Sequence, residues 1–105
     1  MTEFINRKIT QAIENAAASF PVITITGPRQ SGKTTLARHM FPEYPYFSLE
    51  NPNVRNLAME DPVGFLNNTT EGIILDEVQN SPQLLSYIQG IVDNDYEKRF
   101  ILIAN

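Results

Sequence analysis

Residues suited to phosphate chemistry concentrate between two apolar segments. The run Gly27-Pro28-Arg29-Gln30-Ser31-Gly32-Lys33-Thr34-Thr35 follows Val22-Ile23-Thr24-Ile25-Thr26 and precedes Leu36-Ala37-Arg38-His39-Met40. It fits G-x-x-x-x-G-K-[ST] at Gly27, Gly32, Lys33 and Thr34. Glycines let a backbone wrap closely around oxyanions, successive N–H groups point inward, and a helix starting at Lys33 adds the positive end of its dipole. In such a cradle Lys33 reaches the β- and γ-phosphates as a point charge and the Thr34 hydroxyl ligates Mg²⁺. Thr35 adds an α-phosphate contact, and Arg29 either meets a phosphate or a partner or is a solvated loop charge. The competing reading is an ordinary glycine-containing strand-to-helix turn, which has no need of a lysine and a hydroxyl at this spacing.

A second set of groups lies at the end of Ile73-Ile74-Leu75-Asp76-Glu77. An apolar strand ending in two acids is, taken alone, usually a strand meeting solvent. Beside a phosphate loop the pair has chemistry to do. Asp76 holds Mg²⁺ through water or the Thr34 hydroxyl, and Glu77 orients and polarises an attacking water. The glutamate separates hydrolysis from small-molecule phosphotransfer, because a kinase takes its nucleophile from a second substrate.

The surrounding elements must bring these two segments together. Ile5, Ile9, Ala12, Ile13, Ala16 and Ala17 recur at helical spacing, predicting an amphipathic helix from about Phe4 to Ala18 that Pro21 ends. Val22 to Thr26 reads as a strand, Lys33 to Met40 as a helix, and Tyr46 to Leu49 as a second short strand. Two weaker helical segments fill 51–70, the second capped by Asp61-Pro62. Gly72 to Glu77 is a third strand. Ser81-Pro82 caps a helix whose Leu84, Leu85, Ile88, Ile91 and Val92 form one apolar face, and Arg99 to Ala104 is a fourth strand. Strands alternating with helices predict an α/β fold with a parallel sheet covered on both faces. Ligands bind beyond the carboxyl ends of such strands. The phosphate loop, Asp76-Glu77 and Asn105 all fall there.

Composition sets the outer bounds. The 105 residues suit one domain, and 42% apolar with 19% charged residues suits a packed core rather than disorder. A net charge of −4 and a pI near 4.8 oppose a bulk electrostatic grip on nucleic acid, leaving a local patch open. The absence of cysteine excludes disulfides and thiolate metal sites, and no apolar run is long enough to span a membrane. The N-terminus lacks the apolar stretch of a secretory signal, so the cytoplasm is the expected compartment.

The order of these motifs, continuing through Leu49-Glu50-Asn51-Pro52, Glu60-Asp61-Pro62 with Phe65-Leu66, Leu75-Asp76-Glu77-Val78-Gln79 and Ser81-Pro82-Gln83-Leu84-Leu85, resembles the prokaryotic AAA-type P-loop ATPases. Longer members of the similar branch often carry a nuclease-like C-terminal domain of unknown function. The resemblance runs over nearly the whole chain. It implies ATP or ADP and Mg²⁺ as ligands, hydrolysis as the reaction, and a three-layer α/β/α sheet ordered 5-1-4-3-2. It places Lys33, Thr34, Asp76 and Glu77 on the loop, metal and water-activating positions, with a polar sensor at or near Asn105. The 105 residues then correspond to the N-terminal part of an AAA-type ATP-binding domain, without fifth strand, lid or the arginine that completes a neighbour's site.

Three functions are compatible with these features: the nucleotide-binding half of an ATPase with slow hydrolysis, a nucleotide-binding or self-associating module that does not hydrolyse, and a small P-loop kinase. The Asp-Glu pair favours the first. In the strand order that the resemblance implies, Val22 to Thr26, apolar and without lysine, is expected to be an open sheet edge that promotes a dimer or larger assembly. His39 reads as a helix-end or solvent residue, and Tyr44, Tyr46 and Phe47 as an aromatic cluster that packs in the core rather than against adenine.

Overall fold

Pro21 and Gly27 bracket five residues, all of them β-branched, and these make the first strand, β1 (Val22–Thr26). A computed structural model describes residues 7–28, 31–67 and 71–105 of the chain. Before β1 stands helix α1 (Arg7–Ser19), and after it come α2 (Lys33–Met40), β2 (Tyr46–Ser48), α3 (Pro52–Glu60), α4 (Pro62–Leu66), β3 (Gly72–Asp76), α5 (Leu84–Asn94) and β4 (Arg99–Ala104). The expected start of the first helix at Phe4 lies outside the described residues.

The four strands form one parallel sheet in the order β1-β4-β3-β2. Parallel strands are buried on both faces, and all five residues of β3 are buried here. Alternation sends Ile73 and Leu75, with Phe100 and Leu102 of β4, into a core against α3, α4 and α5, where Leu49, Leu66, Leu84 and Ile88 close it. The opposite face carries Ile74, Ile101 and Ile103 against Ala37 of α2, with Ile23, Ile25 and Tyr46 at its margin. Side chains two residues apart share a face. Asp76, two residues beyond Ile74, therefore emerges on the α2 side of the sheet.

Local chemistry fixes the connections. Asn51 caps α3 by accepting from the Asn53 N–H at 2.8 Å, and Asp61 caps α4 by accepting from the Gly64 N–H at 3.1 Å, with Pro52 and Pro62 in the first turns. Arg99 donates from Nε to the Ala17 carbonyl at 2.5 Å, and the Tyr96 hydroxyl donates to the Ser19 carbonyl at 3.0 Å. Both bonds occupy acceptors in the last turn of α1 and tie it to the sheet.

The architecture corrects several local expectations. Ser81 does not cap α5 with its side chain: the helix begins after Gln83, and Ser81 is buried in the preceding turn, accepting the Leu84 N–H on its carbonyl at 3.1 Å. Leu85 points away from the apolar face and is 47% exposed, because Leu84, Ile88 and Val92, with Ile91 beside them, form the stripe that meets the core. The third strand stops at Asp76. Glu77 turns into the left-handed region at φ 54 and ψ 45 and starts a short 3-10 turn, Val78–Asn80, that periodicity did not signal. Tyr44, Tyr46 and Phe47 all pack against the core as expected but do not form one cluster: Tyr44, stacked on Phe41, and Tyr46 border the α2 side, whereas Phe47 meets Phe65 on the other side of the sheet.

Candidate functional site

The turn between β1 and α2 is shaped by its last glycine. Gly32 stands at the N-cap of α2 with φ 87 and ψ 8, a left-handed conformation that side chains resist. It thereby aims the first N–H groups of α2 outward, where no residue of the helix can accept them. Lys33 and Thr34 follow at once, and their side chains rise over the carboxyl ends of β3 and β4.

Lys33 Nζ donates to the carbonyls of Gly27 and Pro28, both at 2.7 Å, and to Asn105 Oδ1 at 2.9 Å. The amide of Asn105 faces the other way as well, donating from Nδ2 to Glu77 Oε1 at 2.9 Å and Oε2 at 3.1 Å. One neutral side chain thus bridges the ammonium and the carboxylate. Thr34 donates its hydroxyl to Asp76 Oδ2 at 2.7 Å, and the Glu77 N–H donates to Asp76 Oδ1 at 2.8 Å. Asp76 is only 5% exposed, so its charge is stabilised by these donors more than by bulk water.

Ser31, Gly32, Lys33, Thr34, Thr35, Asp76, Glu77 and Asn105 line one cavity of about 210 Å³. That volume is below the ~300–1,000 Å³ of pockets that enclose whole ligands, and suits a group the size of a phosphate chain with its ion. Among the described residues, no three His, Cys, Asp or Glu side chains gather into an all-protein metal cage. A magnesium ion that keeps several waters and shares phosphate oxygens does not need one, and a hydroxyl paired with a carboxylate is a fitting donor set. Gly27 and Pro28 meet the site through their carbonyls. Arg29 and Gln30 lie outside the described residues.

Two side chains touch this constellation that the sequence reading did not assign to it. Tyr46 donates its hydroxyl to Asp76 Oδ2 at 2.5 Å, and Gln79 donates from Nε2 to Glu77 Oε1 at 2.5 Å. Burial and the neighbouring Asp76 carboxylate push the Tyr46 phenol up to about 12, against the pull of Arg38. Register was the available signal for Tyr46, since a parallel pairing that sets Tyr46 beside Ile74 leaves Asp76 two residues further along the same face. Gln79 carried none, because it acts through the unexpected 3-10 turn. His39 is exposed, as expected of a helix-end residue.

A family model described as AAA domain matches residues 19–104. The chain belongs to the AAA domain family. Its four-stranded parallel sheet and glycine turn are the α/β architecture of a P-loop NTPase-like AAA domain, a family suggestive of nucleotide binding. Two uncharacterized proteins, from Mycobacterium bovis and Mycobacterium tuberculosis, are each 33% identical to it over 102 residues, covering 94% of this chain and 23% of their own length. This AAA domain chain therefore spans about a quarter of the curated relatives it matches. No solved structure gives a significant match. Among the described residues of the AAA domain, no helix is long and apolar enough to cross a membrane.

Proposed function

We propose that the domain binds ATP or ADP with Mg²⁺ in the cavity above α2 and hydrolyses ATP there, slowly when the chain acts alone. The observation carrying this reading is the convergence of Lys33, the Thr34–Asp76 pair and Glu77 on one cavity of phosphate size. Backbone N–H groups from Ser31 to Thr35 receive phosphate oxygens at the positive end of α2. Lys33 exchanges its carbonyl and Asn105 acceptors for the β- and γ-phosphates, an exchange that replaces neutral acceptors with anionic ones. The Thr34 hydroxyl and, through water, the Asp76 carboxylate would hold magnesium, which would supply neutralisation of the phosphate charge. Glu77 accepts a proton from the water that attacks the γ-phosphorus while the bond to the bridging β-phosphate oxygen breaks and ADP and phosphate leave, and Asn105 and Gln79 hold the Glu77 carboxylate.

Slow turnover is expected because, among the described residues, no arginine lines the cavity. Such an arginine contributes ~10³ to 10⁵ in rate in related phosphoryl-transfer systems. The alternative of a binding module without hydrolysis shares every step but the last. The side of β1 left open among the described residues supports self-association as a further property of the chain.

Calorimetry with Mg²⁺-ADP tests the reading: wild-type protein binds and Lys33→Ala loses most of that affinity. Equal affinity in the two proteins overturns it. Phosphate release at an ordinary enzymatic rate, abolished by Glu77→Gln, would instead show that the chain needs no outside arginine.

A further inference from the structure

Asp76 has about four lone-pair positions on its two oxygens. Protein donors fill three of them: the Glu77 N–H at Oδ1, and the Thr34 and Tyr46 hydroxyls together at Oδ2. Among the described residues, one acceptor position is left, on Oδ1. Thr34 is engaged only as a donor in that pair, which leaves its own oxygen lone pairs to ligate a cation.

Tyr46 is itself held from two directions. It stands on β2 beside Ile74 of β3, which fixes its distance from Asp76 along the shared face. The Arg38 guanidinium lies 4.5 Å from the centre of its ring. Arg38 sits one turn after Thr34 on α2, so this helix touches the carboxylate through Thr34 and grips the phenol through Arg38. A simple packing role would ask only for the ring, which borders the core around Ile74 and Ile101. It gives no reason for the hydroxyl to meet Oδ2.

We infer that Tyr46 is a positioning residue for the metal side of the site: its hydroxyl locks the Asp76 carboxylate so that the free Oδ1 position and the Thr34 oxygen present one preformed seat to hydrated magnesium. The inference rests on the nucleotide-site reading above. Tyr46 acts through Asp76 and touches neither nucleotide nor ion. Without its hydroxyl the carboxylate turns, and Thr34 turns with it. The loss falls on the metal and spares the phosphate contacts of the glycine turn and Lys33.

The test is a titration of Mg²⁺ into protein mixed with an ADP analogue carrying a fluorescent label on the ribose, for wild type and Tyr46→Phe. Partners behind metal ligands typically cost 10- to 100-fold in metal affinity, and for an ion that keeps its waters the lower end applies. Tyr46→Phe should need about 10-fold more Mg²⁺ for half of the metal-dependent gain in affinity, while its affinity for the analogue in EDTA equals that of wild type. Thermal unfolding of the unliganded variant, with the ring retained, checks that the fold is intact. Superimposable magnesium curves overturn the inference alone, as does an affinity loss of the same size with and without the metal, which would mark a packing role. Wild-type protein that binds no analogue at any Mg²⁺ concentration overturns the site reading, and the inference with it.

Discussion

The side-chain amide nitrogen of Asn105 lies within 3.1 Å of both carboxylate oxygens of Glu77 while its own oxygen accepts a hydrogen bond from Lys33 at 2.9 Å. Lys33 must leave that oxygen to meet a phosphate, so the bridge opposes nucleotide entry by about the worth of one hydrogen bond, ~0.5–1.5 kcal/mol. For ADP, which offers no γ-phosphate to the amide, Asn105→Ala should bind roughly 2- to 5-fold tighter than wild type, the exposed position favouring the lower half of that energy range. For ATP the gain is offset by the lost amide. Calorimetry with both nucleotides checks this, and weaker ADP binding by Asn105→Ala would count against the bridge as a restraint.

Glu77 is also the one non-glycine residue with positive φ among those described. A left-handed side chain costs of order 1 kcal/mol and persists where its surroundings hold it, here through Asn105, Gln79 and the Asp76 carboxylate accepting its N–H. Asparagine tolerates the conformation better. Glu77→Asn should therefore unfold at higher denaturant, by up to about 1 kcal/mol, while losing any ATP hydrolysis. A destabilised variant would mean that the carboxylate contacts outweigh the strain.

The sheet was legible from the sequence because Ile73-Ile74-Leu75 and Phe100 to Ile103 are continuous apolar runs that only a doubly covered parallel sheet can bury. The glycine turn was legible because Gly32, Lys33 and Thr34 must adjoin in sequence to adjoin in space. Tyr46 and Gln79 escaped notice for the converse reason. Tyr46 meets Asp76 through a strand register, and Gln79 meets Glu77 through a backbone reversal, and neither relationship leaves a local pattern. Leu85 was misread because helical spacing alone cannot say how wide the buried stripe is.

The Tyr46 phenol gives the fold a dependence on alkaline pH. Its ordinary value is 10.0, and burial together with Asp76 pushes it up to about 12 in the folded chain. The unfolded chain releases the proton first, so across that interval the folded state binds more protons and stability falls as pH rises. The contribution is full below pH 10 and lost as pH passes about 12. Burial raises Tyr44 in the same direction, so part of the slope belongs to it. Urea unfolding at steps across this range should show a shallower decline for Tyr46→Phe than for wild type. Parallel declines would assign the slope to other groups.

On the outer side of the sheet, β1 pairs only with β4 among the described residues. The Phe100 N–H donates to the Pro21 carbonyl at 2.7 Å, and in a parallel ladder that phase directs the backbone groups of Ile23 and Ile25 toward β4 and those of Val22, Thr24 and Thr26 away from it. The strand has neither lysine nor proline to discourage a second strand. A two-fold pairing of β1 with its copy would satisfy the outward groups of both chains, and dimerisation is expected to rise with concentration. Ile23 and Ile25 border the core, so charges there would confuse association with unfolding. Thr24→Pro is the cleaner probe, because its side chain is exposed and it removes an outward N–H without touching the β4 ladder. Losing one hydrogen bond from each chain should weaken the dimer roughly 10-fold. A dilution series followed by light scattering reads the change, and a well-folded wild type that stays monomeric at high concentration excludes edge pairing.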